Sequence, residues 1–323
     1  MASRSSKPIL SIYKADESGF KRAFDKLVDR RLDEDSSVEK TVRKIIEQVR
    51  DGGDDALVSL VRKYDRARIE KLEVTPREWE DAVERVEPAD RAALGKAAMR
   101  VREFHRKRIA SSWEMKEEGG GFMGHKVRPL QRAGLYVPGG KAAYPSSVIM
   151  NATPASVVEV PEIIMATPPE PDGSIRPDVL LAAKVAGVHR VFRMGGAQAI
   201  AALAYGTESV PRVDKIVGPG NQYVATAKRL VFGQVGIDAE AGPTEVLVVA
   251  DKTATPAWVA ADLLSQAEHE EQACAVLVTT SRSIATRVQD QLTRQLKTME
   301  RSKIARQALA SGGGIFERSI VFS

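Results

Sequence analysis

The chain has 323 residues, 43% of them hydrophobic, which suffices for two domains with sizeable cores and is too apolar for a disordered chain. Its formal net charge of +5, from 48 basic and 43 acidic residues, is interspersed and lacks a basic run with aromatics between its charges, which argues against nucleic acid as a partner. The single cysteine, Cys274, excludes a disulfide framework and a cysteine metal cluster, and the absence of a signal-peptide core or of ~18 consecutive apolar residues argues for no membrane span and a reducing, cytoplasmic setting.

The first third reads as helical. Val38, Val42, Ile45, Ile46 and Val49 follow Ser36 at helical spacing, and the Gly52-Gly53 pair is expected to end that helix. Thr75-Pro76-Arg77-Glu78 carries a proline at the first helical position and the glutamate of a capping box. A longer helix is expected over 90–109, the glycine run 119–121 breaks the chain, and FMGHKVRPLQRAGLYV reads as extended strands. From Leu135 onward short apolar runs alternate with helical, alanine-rich patterns. Strands are expected at 162–166, 189–194, 214–217, 245–250 and 273–279. Apolar strands without alternation, separated by helices, indicate a parallel sheet covered on both faces.

The expected fold class is therefore α/β: two Rossmann-like doubly wound units, one inserted in the other, with an N-terminal helical arm. The arm is placed at 1–30. The first domain combines 31–133 with 242–323, and the inserted unit spans 134–241, with the break near Ala241-Gly242-Pro243.

In open α/β sheets, ligands bind at the loops that follow strand C-terminal ends. Three such loops here are unusual: LYVPGGKAAYPSS, in which Pro145 can start a helix, MGGAQAIAALAYGT and VGPGNQYVATAK. None is the G-x-G-x-x-G dinucleotide fingerprint or a phosphate-binding G-x-x-x-x-G-K-[ST] loop. Taken singly, each reads first as a tight strand-to-helix turn. Further along, SQAEHEEQACAVLVTT sets Gln266 and His269 three apart, a spacing that shares one helix face, and a neutral imidazole is a common zinc ligand.

In order, GLYVPGGKAAYPSSVIMNATPA, GGAQAIAALAYGT, VGPGNQYV, AGPTEVLVVAD and DLLSQAEHEEQACAVLVT closely resemble the histidinol dehydrogenase family, and the resemblance covers most of the chain. It implies an NAD- and zinc-dependent alcohol and aldehyde dehydrogenase that oxidises L-histidinol to L-histidine with two NAD, the last step of histidine biosynthesis, as a homodimer. By motif matching, Tyr136, Gln198 and Asn221 are implied as NAD contacts, Gln266 and His269 as two zinc ligands that also hold the substrate, and Thr244 as a substrate contact where the family usually has serine. Glu268 and Glu270 are expected to point elsewhere on the helix, on the surface or in support of the ligand residues.

The resemblance also implies what is not expected within 1–323. The general base and the remaining zinc ligands are expected beyond Ser323, and no histidine follows His269. The ending SIVFS reads as an apolar strand with nothing after it to cover a sheet face, so a C-terminally truncated chain, inactive alone and prone to associate, is the expectation. Two alternatives stand beside this reading: a related zinc- and NAD-dependent polyol dehydrogenase, and a residual nucleotide-binding or dimerisation module.

Overall fold

The computed structural model describes residues 9–29, 36–139, 144–240 and 244–317. Part of the LYVPGGKAAYPSS loop, the break at Ala241-Gly242-Pro243 and the ending SIVFS lie outside them. The chain divides into two compact units, Asp35–Gly242 and Met1–Glu34 with Pro243–Ser323.

In chain order the first elements are Ile12–Lys14 (β1) and Gly19–Asp29 (α1). The Asp35–Gly242 unit then runs through Ser36–Leu60 (α2), Pro76–Glu84 (α3), Pro88–Arg106 (α4), Trp113–Lys116 (β2), Phe122–His125 (β3), Arg132–Tyr136 (β4), Pro145–Val157 (α5), Glu162–Thr167 (β5), Pro177–Ala186 (α6), Arg190–Arg193 (β6), Gly196–Tyr205 (α7), Lys215–Val217 (β7), Gln222–Val231 (α8) and Gly236–Ile237 (β8). The chain continues with Glu245–Ala250 (β9), Pro256–Ala267 (α9), Cys274–Thr279 (β10), Arg282–Gln295 (α10), Ser302–Gly312 (α11) and Gly314–Glu317 (β11).

In the Asp35–Gly242 unit, five parallel strands stand in the order β6-β5-β4-β7-β8. Alternate residues of each strand face opposite layers. Ala133, Leu135, Ile163, Met165 and Val191 pack with α3, α4, α5 and α6. Tyr136, Ile164, Ala166, Phe192 and Ile216 pack with α2, α7 and α8. Helix α7 is buried from Ala197 to Ala204, as an apolar helix sandwiched between a sheet and α2 must be. The edge at β6 is closed by 72–74: the Val74 amide donates to Val191 at 2.8 Å and the Arg193 amide to Leu72 at 2.7 Å.

Here the expected grouping is corrected. Residues 35–133 were placed with the C-terminal segment, yet they cluster with 134–242. The reason is coverage. A parallel sheet needs helices on both faces, and α2 and α4 supply layers that α5 to α8 alone do not fill. The Gly52-Gly53 pair also acts differently from expectation. Gly53 (φ 51, ψ −137) interrupts α2, but helix resumes and runs to Leu60 before a π-turn at Val61–Asp65. The Thr75 capping box forms as the sequence implies, with Pro76 at the first turn.

The other unit carries a parallel sheet ordered β1-β11-β10-β9. Residues 12–14 are thus a strand of this sheet rather than part of a separate helical arm. One face packs on α9, α10 and α11 through Ala275, Leu277 and Ile315. The opposite face is only partly covered, by Phe20 and Leu27 of α1 against Cys274, Val276 and Phe316. The expectation of coverage on both faces therefore fails here: Leu247 and Val249 of β9 are 64% and 75% exposed, and an apolar groove of about 560 Å³ runs along Phe20, Phe24, Leu27, Leu247 and Val278. No helix among the described residues is long and apolar enough to cross a membrane.

Candidate functional site

The strand order dictates where a ligand can enter the Asp35–Gly242 unit. From β4 the chain moves outward through β5 and β6, then returns to the other side of β4 through β7 and β8. The connections leaving β4 and β7 therefore diverge, and the crevice at the C-terminal ends of these two strands is the switch point at which open α/β sheets take ligands. Tyr136 is the last residue of β4, and Gly218 follows the last residue of β7. The two backbones are in direct contact. Gly218 has φ +119, and a Cβ there would lie 2.0 Å from the Tyr136 carbonyl oxygen, so glycine is required.

Each expected nucleotide contact has a defined structural partner. The Tyr136 hydroxyl accepts the Gly196 amide at 3.1 Å, and burial, helped by the nearby Asp65 carboxylate, pushes the phenol up to about 12, so it stays neutral. Gln198 is 1% exposed beneath the turn that opens α7 and donates through Nε2 to Asp65 Oδ2 at 3.3 Å. Exposed Asn221 caps α8, its Oδ1 accepting the Tyr223 and Val224 amides at 3.0 and 3.2 Å. The three loops meet: Gly196 joins Tyr136 by a hydrogen bond, and Gly218 abuts it by close packing.

Three charged groups that sequence reasoning did not single out, Lys228, Asp238 and Asp65, frame the crevice. Lys228 is 1% exposed, pairs with Asp238 and donates to the Gly218 carbonyl at 3.0 Å, while Asp238 Oδ2 accepts the Gly218 amide at 2.8 Å. Partial burial disfavours the Asp238 carboxylate, but the Lys228 ammonium and the Gly218 and Ala239 amides outweigh it and hold its pKa below the usual range. Asp65, at the end of the π-turn, accepts the Gly195 amide at 3.1 Å, and burial raises its carboxyl to about 6 against those hydrogen bonds. Lys228 lay inside a motif that could have pointed to it. For Asp65 the local sequence gives no signal, because its partners are 130 residues away.

The remaining candidates belong to the other unit. Gln266 is in the last turn of α9, and His269 lies just past the helix end, where its amide donates to the Gln266 carbonyl at 3.1 Å. The spacing expected on one helix face is thus realised across a closing turn. Thr244 precedes β9 and is tied to the same region: its amide donates to Glu270 Oε1 at 3.2 Å and its carbonyl accepts the Cys274 amide at 2.9 Å. Glu270, expected on the surface or in support of the site, anchors Thr244. Thr244, Gln266 and His269 gather at the N-terminal ends of β9 and β10, unlike the crevice residues. Of the other histidines, the His189 ring accepts the Ile163 amide at 2.9 Å, a structural bond.

Metal ligation can be tested on the donor set. Gln266 and His269 offer one amide oxygen and one imidazole, and no cluster of three His, Cys, Asp or Glu side chains is found among the described residues. A catalytic zinc takes three protein ligands. The described residues do not by themselves fit a zinc centre.

Residues 28–320 match the family model for histidinol dehydrogenase. The chain is 52% identical over 306 residues to a histidinol dehydrogenase of Pseudomonas savastanoi, covering 94% of this chain and 68% of that protein. It is 50% identical over 315 residues to one from Geobacter sulfurreducens, covering 95% and 73%. The crystal structure of histidinol dehydrogenase from Elizabethkingia anophelis superposes with a TM-score of 0.86 at 33% identity, covering 98% of this chain and 72% of that one. A doubly wound sheet with its glycine turns at the switch point, joined to sequence identity near one half along almost the whole chain, leaves one conclusion: the chain belongs to the histidinol dehydrogenase family.

Proposed function

We propose that this protein is an NAD-dependent histidinol dehydrogenase that oxidises L-histidinol through the aldehyde to L-histidine in the cytoplasm, working as a homodimer. The observation that carries the reading is the switch-point crevice, where Tyr136, the Gly195-Gly196 turn above Gln198, and Gly218 to Asn221 converge at the ends of β4 and β7. Bound in this crevice, NAD would supply the acceptor for hydride from the carbinol carbon. The chain's own residues do the holding. Tyr136 keeps a neutral hydroxyl against the turn, glycines let a ligand approach backbone, and Asn221 fixes the start of α8. Thr244, Gln266 and His269 are proposed to contact histidinol, and Gln266 and His269 to be two of the donors to a zinc ion. No general base is assigned among the described residues.

The test is a calorimetric titration of the purified chain with NAD⁺, followed by an assay of NADH formation with histidinol and added zinc. Saturable NAD⁺ binding that is weakened by Asn221→Ala is the expected result. No NAD⁺ binding at millimolar concentration sinks the nucleotide assignment.

A further inference from the structure

The carboxylate of Asp65 stands apart from the other acidic groups of its unit. It is delivered by unusual backbone: a π-turn over Val61–Asp65 followed by Arg66 in the left-handed region at φ 58. Such turns are frequent at functional positions. Among the described residues no cation pairs with it, and what opposes its burial is the Gly195 amide and the Gln198 side chain. A cap would need to satisfy only the Gly195 amide, whereas Asp65 Oδ2 serves a second donor, Gln198 Nε2.

A carboxylate differs from an amide in being acceptor-only. With Asp65 Oδ2 3.3 Å from Gln198 Nε2, the NH₂ end of the Gln198 amide is forced toward Asp65, and Oε1 is turned to the Gly196 side, 3.0 Å from where a Cβ at Gly196 would be. The same carboxylate explains Gly195, since a Cβ there would sit 2.4 Å from Asp65 Oδ1. Consecutive amides of the turn are thus shared out, Gly195 to Asp65 and Gly196 to the Tyr136 hydroxyl.

We infer that Asp65 is a positioning residue of the nucleotide site: it fixes the Gly195-Gly196 turn and sets the direction of the Gln198 amide, so that an acceptor oxygen faces an incoming donor such as a ribose hydroxyl. Its pKa of about 6 leaves it ionised, and hence acceptor-only, at neutral pH. Because Gln198 is buried, this orientation is set before any ligand arrives, and a ligand reaches it over two residues without side chains. The inference rests on the proposal that NAD binds this crevice.

Asp65→Leu is the discriminating change, with Asp65→Asn as its conservative partner. The Gly195 amide and Gln198 Nε2 both donate to one oxygen, Asp65 Oδ2, so Asn can present its amide oxygen there and keep both bonds, whereas Leu offers no acceptor and frees the Gln198 amide to turn. NAD⁺ binding at pH 7 should weaken about tenfold in Asp65→Leu, equivalent to about 1.4 kcal/mol, and recover in Asp65→Asn. Unchanged NAD⁺ affinity in Asp65→Leu overturns the inference. So does an equal loss in Asp65→Asn at an unlowered melting temperature, which would make the charge, not the placing of Gln198, responsible. If the unaltered chain binds no NAD⁺ at all, the nucleotide reading fails and the inference with it, whereas failure of the variant alone leaves that reading intact.

Discussion

Asp65 and Asp238 show how surroundings shift the pKa of one residue type in opposite directions. Asp238 has a buried ammonium beside it and is stabilised as an anion. Asp65 has only amides and is not. For Asp65 the folded pKa, about 6, lies above the ordinary value of 3.8. The folded state then binds more protons than the unfolded state between these two values, so stability falls as pH rises through that window and the full penalty is present above it. Asp65→Asn removes the penalty. It should raise unfolding free energy at pH 7 on the order of 2 kcal/mol, with the difference gone near pH 4, as denaturant titrations of both proteins at the two pH values would reveal. A gain that persists unchanged at pH 4 would show that the carboxylate is not its source. Lys228→Met should act in the opposite direction. It leaves the Asp238 carboxylate unpaired, and the expected loss is about 2 kcal/mol, below that of a fully buried pair because Asp238 is 36% exposed. The Gly218 loop should loosen with it, measured as faster amide exchange at that glycine. At this scale the sequence was legible where chemistry is local. Asn221 precedes its helix and could be read as a cap, whereas nothing near Asp65 announces Gly195.

Among the elements, those with their own punctuation were readable. Thr75-Pro76-Arg77-Glu78 predicts α3 from its first residue, and both reciprocal bonds of the capping box are present. Thr75→Ala should cost about 1 kcal/mol, checked by chemical denaturation, and a neutral result would mean that Glu78 holds the helix start unaided. The Gly52-Gly53 pair was only half readable. Its glycines do break the helix, but what restarts it is distant: the Glu208 carboxylate accepts the Asp54 amide at 2.8 Å, and a Cβ on Gly53 would lie 2.3 Å from that carboxylate. The Asp54 carboxylate in turn accepts the Thr207 hydroxyl at 2.5 Å. Two segments thus exchange bonds that neither sequence reveals. Gly53→Ala should therefore undo the Glu208 contact as well as strain the backbone, and lower the melting temperature more than Gly95→Ala, where open space surrounds the added methyl in α4.

For the molecule as a whole, fold class and strand positions follow from apolar runs, because burial on both faces of a parallel sheet writes itself into composition. The grouping of segments does not. Helix α2 is amphipathic whichever sheet it covers, and its stripe from Val38 to Val49 names no partner. The β9 strand is the complementary case: its apolar run reads as doubly buried, yet Leu247 and Val249 are exposed beside the groove along α1. An uncovered apolar face of this kind binds hydrophobic dyes and favours association. Leu247→Lys with Val249→Glu should reduce dye fluorescence and concentration-dependent light scattering while leaving the melting temperature within a few degrees. A large fall in melting temperature would show that these side chains are packed in solution.

The strand order also sets the sequence of events by which the crevice comes into being. β4 is the central strand, but β7, which forms the other wall, reaches it only after α5, β5, α6, β6 and α7 have been laid down between them. Gly196 is 60 residues from Tyr136, and Gly195 is 130 from Asp65. Contacts of such separation close long loops and form late in folding. A chain that has collapsed, with its local helices in place, would still lack the paired turns that meet Tyr136. Recovery of nucleotide affinity during refolding should therefore lag behind recovery of helical ellipticity, and the crevice becomes a clock for the last step of folding in this unit.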